Sequence, residues 1–418
     1  MQPSRLLELT LDGIAQGGAG VGRVDERVVF ASGGLPGERV RVQIDEQRPT
    51  YALGRVVEVL ERSPDRIEPR LPGADHMPWQ AIAYPAQLRF KQQIVADQLA
   101  KIGRLRDTAV AATLPAARPW GYRNSARLHG QAGEIGYFAA DTRSMQPIEH
   151  DPLLLPVLNE ALAALRAAMH EHGLPAPEEI IVRASEGHGY ALAAIRGAPA
   201  EAQSLHRLAA RWRARCPALA GVAVAGGPTL GADHLIEELD GLAFRLRPTS
   251  FFQVNVGSAE ALLGLARAGI GDLASGSLLD LYCGAGAFTL PMARHAREVV
   301  GIEEFAGAVE DALASAELNG IANVEFLAGR VEQALAEVEA APDAVLLDPP
   351  RRGCHPQAIA ELIRLAPARI AYVSCHPATL ARDLKLLTAG GYAVASVQPI
   401  DLFPQTAHIE CVTVLSRT

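Results

Sequence analysis

One thiol and two carboxylates occupy comparable places in the last third of the chain. Cys375 lies in Tyr372-Val-Ser-Cys-His-Pro377, just past an apolar run that reads as a strand. Asp348 ends the preceding apolar run, in Leu346-Leu-Asp-Pro-Pro350, and Glu410 follows Pro404-Gln-Thr-Ala-His-Ile409. An isolated cysteine is usually a buried structural residue. A strand end followed by polar His376 and Pro377 favours a nucleophile instead, because ligands of open α/β sheets sit at the carboxyl ends of strands. One thiol and two carboxylates on one rim make a thiol-addition site. Cys283, Cys354 and Cys411 have weaker claims. Cys411 adjoins Glu410, but alternation along a strand points it to the opposite face.

A second group of residues suits a nucleoside. Asp280-Leu-Tyr-Cys-Gly284-Ala-Gly286 follows an apolar strand and opens a helix, and glycines there let a ligand approach the backbone. Glu303 ends the next strand, where a carboxylate can hold both hydroxyls of a ribose. A dinucleotide fingerprint would need glycine at 289, where Thr289 stands. That argues against a nicotinamide oxidoreductase. The triple of DLYCGAG, GIE and LLDPP fits S-adenosylmethionine, with Asp280 and the loop around the methionine end and Glu303 at the ribose.

The elements that must position these residues follow from periodicity. Residues 259–418 alternate helix and apolar strand, the pattern of a doubly wound, Rossmann-like parallel sheet. Residues 5–59 hold short β-branched runs separated by turn signals such as GGAGVG and GGLPGE, which predicts a small β-barrel of the oligonucleotide-binding type. Between them, SPDRIEPRLPGADHMP predicts a linker or irregular segment. Helices are expected at 84–104, 152–172 and 201–215, with strand-like pieces at 121–150 and in IIVRAS, YALAAIRG and GVAVAGG. The expected architecture is thus α/β overall: a barrel over 1–60, an α+β central domain over 61–245, and a Rossmann-like domain over 246–418.

Composition narrows the class. The chain has 418 residues, 49% hydrophobic and 21% charged, enough for real cores. No apolar run reaches membrane-span length, and MQPSRLLELTLDG lacks a signal pattern. A cytoplasmic protein with no membrane partner is expected, and a monomer is the default. Five cysteines without CxxC spacing exclude a disulfide scaffold. The net charge of -8 argues, taken whole, against nucleic acid. Its distribution reverses that. Residues 246–418 carry net -7, while residues 62–127 carry 11 basic and 5 acidic side chains, interleaved with Trp79, Tyr84, Phe90, Trp120 and Tyr122. Basic residues among aromatics suit RNA, and Arg118, Arg123 and Arg127 are expected nearest to it.

The motifs carry a family resemblance. SFFQVN at 250–255, LDLYCGAGAFTLPMA at 279–293, VVGIE at 299–303, LLDPPRRG at 346–353, YVSCHPATLARD at 372–383 and FPQTAHIE at 403–410 resemble the RNA uracil-5-methyltransferases of the TrmA/RumA type. QLRFKQ and GYRNSARLH resemble that family's central domain, and LTLDGIAQGGAGVGRVDERVVFASGGLPGERV resembles a TRAM domain, a small RNA-binding barrel. The resemblance implies methylation of uracil C5 in RNA to 5-methyluridine. It implies that Gln253 contacts cofactor or base, and that Tyr282, Gly284 and Glu303 bind S-adenosylmethionine. Asp348 polarises the uracil and touches the cofactor site, Cys375 attacks C6, and Glu410 is the base. The TRAM domain points to 23S ribosomal RNA, with the tRNA T-loop as alternative. A catalytically silent RNA-binding or folding factor is the rival class, and intact Gln253, Asp348, Cys375 and Glu410 argue against it.

Two departures stand out. Many relatives hold an iron–sulfur cluster on four cysteines, but no cysteine precedes Cys216 here, so no such cluster is expected. Asp75, His76 and Asp151 then read as surface or hydrogen-bonding residues rather than metal ligands, with packing around Met77 and Trp79 in the cluster's place. His376 stands where relatives often have Asn and is expected to shape the loop.

Overall fold

The computed structural model describes residues 6–139 and 144–418. The opening MQPSR of the barrel segment and the last alanine of GEIGYFAA lie outside them. The apolar runs of the last third pair as expected. Seven strands form the sheet: β1 (Leu273–Leu281), β2 (Ala296–Glu303), β3 (Val324–Ala328), β4 (Ala344–Leu347), β5 (Arg369–Ser374), β6 (Tyr392–Ile400) and β7 (Glu410–Arg417). Their spatial order is β3-β2-β1-β4-β5-β7-β6. β1 to β5 are parallel, and β7 runs antiparallel between β5 and β6. The sequence reading has no such reversal, and it matters. A strand inserted backwards starts where its neighbours end, so Glu410, the first residue of β7, lies at the carboxyl rim beside Cys375.

Three helices that periodicity did not single out, Val331–Glu337, Pro356–Leu365 and Pro377–Ala389, follow strands of this sheet. The last two begin with proline in the first turn, where the missing N–H costs nothing. The helix after the glycine loop is only Thr289–Ala293, shorter than its apolar run suggests.

Five short strands, Leu6–Ile14, Gly20–Val24, Arg27–Ser32, Arg39–Gln47 and Tyr51–Glu61, close into the expected barrel. Alternating residues Leu9, Leu11, Val40 and Val42 fill its interior. The middle region holds a seven-stranded sheet that shares one core with helices Pro156–His172 and Ala202–Arg215. A hairpin, Leu235–Leu239 with Leu242–Leu246, was not foreseen.

These parts do not pack separately. Ile14 and Leu35 of the barrel, Trp79, and Phe90 and Ile94 of helix Tyr84–Gln98 share one core with Leu281, Leu347 and Tyr372. The segment expected as linker or irregular is irregular but packed, with Met77 and Trp79 fully buried. Within this interface Lys91 is completely buried. Its Nζ donates to Asp401 Oδ1 at 2.6 Å and to the Phe403 carbonyl at 3.0 Å. Burial lowers the Lys91 pKa and Asp401 raises it. A buried pair adds little net stability, but removing one partner leaves an uncompensated charge. Lys91→Met is therefore expected to cost about 3–5 kcal/mol in urea unfolding. Adding Asp401→Leu should recover most of that loss.

Candidate active site

Register sets the rim. Leu281 of β1 lies beside Ile302 of β2 and Leu347 of β4, and Leu347 lies beside Tyr372 of β5. Ser374 is paired with Cys411 of β7. Tyr282, Glu303, Asp348, Cys375 and Glu410 thus all sit at or next to strand ends on one side of the sheet. They open into one cleft of about 1000 Å³, which Gln253 and Gly284 also line. Of the residues expected at the chemical and cofactor sites, Gln253, Tyr282, Gly284, Glu303, Asp348, Cys375 and Glu410 line that cleft, while Asp280, expected at the methionine end, is fully buried behind it.

The chemical groups share a poorly hydrated corner. Glu410 is buried. Burial, then the charge of Asp348, hold its carboxyl well above the usual carboxylate range. Asp348 faces the cleft but is hemmed in elsewhere, and this desolvation pushes it up to about 7. Near neutral pH the two cannot both ionise easily, so one member can donate a proton while the other accepts. Cys375 is pushed up to about 12 by burial, then Glu410, then Asp348, with Arg351 opposing them. The exposed Arg351, from the Arg-Arg pair after Asp348-Pro-Pro, is a site residue to which the sequence reading gave no role. A basic pair directly after a strand-end acid was the available signal.

On the other side of the cleft, Tyr282 turns the chain with a positive φ of 64°, a conformation costing on the order of 1 kcal/mol for a bulky residue. Its N–H and that of Cys283 both donate to the Ile302 carbonyl, at 2.9 and 3.1 Å. Glu303 accepts from the N–H of Gly284 at 3.1 Å and of Phe305 at 2.8 Å, one to each carboxylate oxygen. A second lone pair on each oxygen remains for a ligand. Asp280 is fully buried. Its Oδ2 accepts from Thr289 Oγ1 at 2.6 Å, while its Oδ1 has no partner among the described residues. Burial raises its pKa to about 7, Thr289 opposing and Asp348 and Glu303 adding to the rise. Phe251 and Phe305 line the same cleft with 70% and 66% of their surfaces exposed. Two solvated phenyl rings at a cleft mark an apolar ligand face, a feature that sequence position alone did not mark.

The loop before Glu410 is clamped from every part of the chain. Gln87 and Gln405 exchange hydrogen bonds, Nε2 of Gln87 to Oε1 of Gln405 at 2.8 Å and Gln405 N to Gln87 Oε1 at 2.9 Å. Tyr122 Oη donates to the Pro404 carbonyl at 3.0 Å, and Trp79 N donates to the Gln405 carbonyl at 3.0 Å. From the barrel, Gly18 packs so closely that a Cβ would lie 2.4 Å from Trp79 Nε1 and 2.9 Å from Ala407 Cβ. Next to it, Gln16 reaches the nucleophile loop. His376 caps helix Pro377–Ala389, its Nδ1 accepting from Thr379 N at 3.4 Å. Its proton is therefore on Nε2, which faces the Gln16 amide at 2.6 Å. The Gln16 oxygen otherwise has no partner, so the amide is read with its oxygen accepting from that N–H. Burial and Arg351 lower the His376 pKa, which keeps the ring neutral.

Around residues 71–80, packing and a polar knot hold the backbone. Met77, Tyr122 and Leu153 form a small core. Buried Asp151 accepts from Tyr137 Oη at 2.8 Å and Leu153 N at 2.9 Å, and faces His76 Nε2 at 3.4 Å. The three arginines expected near RNA separate. Arg123 lines the cleft with an unpartnered Nε. Arg118 pairs with Glu186, and Arg127 with Glu179 at 2.9 Å, both away from it.

Cys375 is the only cysteine not buried. Iodoacetamide is therefore expected to label one thiol per native chain, at Cys375, against five in denaturant. The rate should rise roughly tenfold per pH unit up to about pH 10, since only thiolate reacts. Glu410→Gln removes a charge that opposes the thiolate, and should speed labelling several-fold at pH 10. Mass spectrometry of labelled peptides measures both. Gln16→Ala should cost about 1 kcal/mol in urea unfolding, the loss of one part-buried hydrogen bond.

Comparison with known proteins places this geometry. The profile of the tRNA (uracil-5-)-methyltransferase family matches residues 230–418, and that of the TRAM domain matches residues 4–57. An uncharacterized RNA methyltransferase of Thermosynechococcus vestitus is 36% identical over 449 residues, spanning 100% of this chain and 99% of the relative. One from Halalkalibacterium halodurans is 31% identical over 442 residues, spanning 98% and 96%. Among solved structures, the tRNA (uracil-54, C5)-methyltransferase of Pyrococcus abyssi in complex with S-adenosyl-L-homocysteine has the same fold. Its TM-score is 0.77 at 23% identity, over 98% of this chain and 100% of that one. Full-length relatives, both profiles in chain order and a shared fold agree: the chain belongs to the tRNA (uracil-5-)-methyltransferase family of RNA methyltransferases and carries an N-terminal TRAM domain.

Proposed function

We propose that this chain methylates C5 of a uridine in 23S ribosomal RNA with S-adenosylmethionine, through a covalent bond between Cys375 and C6 of the base. The observation that carries the proposal is the placement of Cys375 on one poorly hydrated rim with Asp348 and Glu410. The cofactor side fits the donor. The orphaned Asp280 Oδ1 suits an ammonium group, the free lone pairs of Glu303 suit ribose hydroxyls, and Phe251 and Phe305 suit an adenine. Tyr282, Gly284 and Gln253 complete that wall. S-adenosylmethionine supplies an electrophilic methyl group.

The chain's own groups do the rest. Uracil C5 is a weak nucleophile. Addition of the Cys375 thiolate to C6 moves the double-bond electrons to C5 and O4, where the proton that the carboxylate pair shares, held on Asp348 in this state, hydrogen-bonds to the oxygen and leaves Glu410 ionised. C5 is then able to accept the methyl group, the S–CH3 bond of the donor breaking with its electron pair kept by sulfur as a neutral thioether. Glu410 removes the C5 proton, and the returning electron pair expels Cys375 as thiolate. Positive charge entering the cleft with the methyl donor favours the thiolate, as Arg351 already does. The base must leave its stack to reach this rim, so an unpaired or flipped uridine is required.

The TRAM barrel supports ribosomal RNA as the target. A second reading, the T-loop of tRNA, is favoured by the Pyrococcus abyssi enzyme, which is similar over the whole chain including the barrel. Cys375→Ala is expected to abolish methyl transfer while RNA binding persists, and retained turnover would sink the mechanism. Glu410→Gln should trap an RNA adduct on a denaturing gel, because methylation precedes proton removal. Mapping 5-methyluridine in RNA from a strain lacking the gene decides the target. Loss from 23S RNA supports the first reading, and loss from tRNA replaces it with the second.

A further inference from the structure

The basic stretch 62–127 is largely spent on ion pairs. Arg62, Arg66, Arg89, Lys91, Lys101, Arg118 and Arg127 each pair with a carboxylate. Among the described residues, Arg70, Arg104, Arg106 and Arg123 of that stretch do not. Two of these face cavities. Arg123 lines the catalytic cleft. Arg70 lines a separate cavity of about 770 Å³, with Trp120, His150, Pro147, Pro152 and Ile148. The Arg70 guanidinium lies over the Trp120 indole, 5.0 Å from the ring centroid. Trp120 is half-buried, seated on the core of Met77, Tyr122 and Leu153. His150 is exposed and makes no hydrogen bond among the described residues.

We infer that this second cavity binds an unstacked nucleotide of the same RNA strand whose target base occupies the catalytic cleft. The inference rests on the RNA reading above. A guanidinium over an indole is a flat, cationic platform on which any base can stack. The prolines and Ile148 supply apolar walls, and His150 a hydrogen-bonding group. The cavity is large enough for one nucleotide. The two cavities also adjoin along the chain, one lined by Trp120 and the other by Arg123. Trp120 and Arg123 are three residues apart, so their Cα atoms are at most about 11 Å apart, the reach of one or two nucleotides. Backbone bonds from Gly121 N to the Pro152 carbonyl at 2.9 Å, and from Arg123 N to the Leu153 carbonyl at 2.8 Å, fix that spacing. A strand opened to expose one uridine also frees its neighbours, and the cavity gives one of them a place.

The chain has three tryptophans. Trp79 and Trp212 are fully buried, so Trp120 alone can be quenched by a stacking base. A fluorescein-labelled uridine heptamer is followed by anisotropy, and the unlabelled heptamer by tryptophan fluorescence. Wild-type protein should bind and be quenched. Trp120→Leu should abolish the quench. Trp120→Leu and Arg70→Ala should each raise the Kd, and the KM for RNA from a strain lacking the gene, about tenfold. Turnover number and the melting shift with S-adenosylmethionine should be unchanged. Arg70 is exposed and its loss leaves the core intact, so that variant reports even where Trp120→Leu does not fold. Unchanged RNA affinity in Arg70→Ala, or binding without a tryptophan quench in wild type, overturns the second site. Failure of wild type to methylate that RNA counts instead against the proposed function.

Discussion

Holding Asp348, Glu410 and Cys375 together out of bulk water is the constraint on which the rest of the fold depends. Each group is driven toward its neutral form by desolvation, and the two carboxylates add to the effect on each other and on the thiol. Such an arrangement is locally unfavourable and persists only where surrounding structure over-determines it. Its usefulness comes from the same source. Groups whose pKa values are displaced by their surroundings can donate, accept and add at one place near neutral pH.

The over-determination is visible in the segment from Asp401 to Ile409. Lys91 holds its beginning by a buried ion pair, Gln87 and Tyr122 hold its middle, and Gly18 of the barrel closes over Ala407. Gln16, two residues before Gly18, bridges to His376 beside Cys375. The TRAM barrel is thus built into the support of the rim that carries Cys375 and Glu410. The knot around Asp151 and the packing of Met77 tie the adjoining backbone segments together.

Charge tells a similar story of local against global. The net charge of -8 misleads because it sums an acidic methyltransferase sheet with a basic middle stretch. The basic stretch misleads in turn, because most of its cations face carboxylates. Of the four without an ion pair among the described residues, Arg70 and Arg123 face the two cavities. Counting charges along the chain could not separate Arg123 from Arg118 and Arg127, since ion pairing is a property of neighbours in space.

The sequence by itself determined the alternation of strand and helix, the five-stranded barrel, and the thiol, the carboxylates and the glycine loop of the cleft, though not Arg351, Phe251 or Phe305. Apolar periodicity and strand-end motifs are local, and local patterns survive being read one residue at a time. Only the tertiary structure decided what those residues do to each other. The backward insertion of β7 between β5 and β6 brings Glu410 to Cys375 across more than thirty residues of chain. The packing of Trp79, Lys91 and Gly18 turned an apparent linker, a helix and a turn signal into one clamp. Burial, pairing and displaced pKa values arise from distant segments excluding water together, and no spacing along the chain records that.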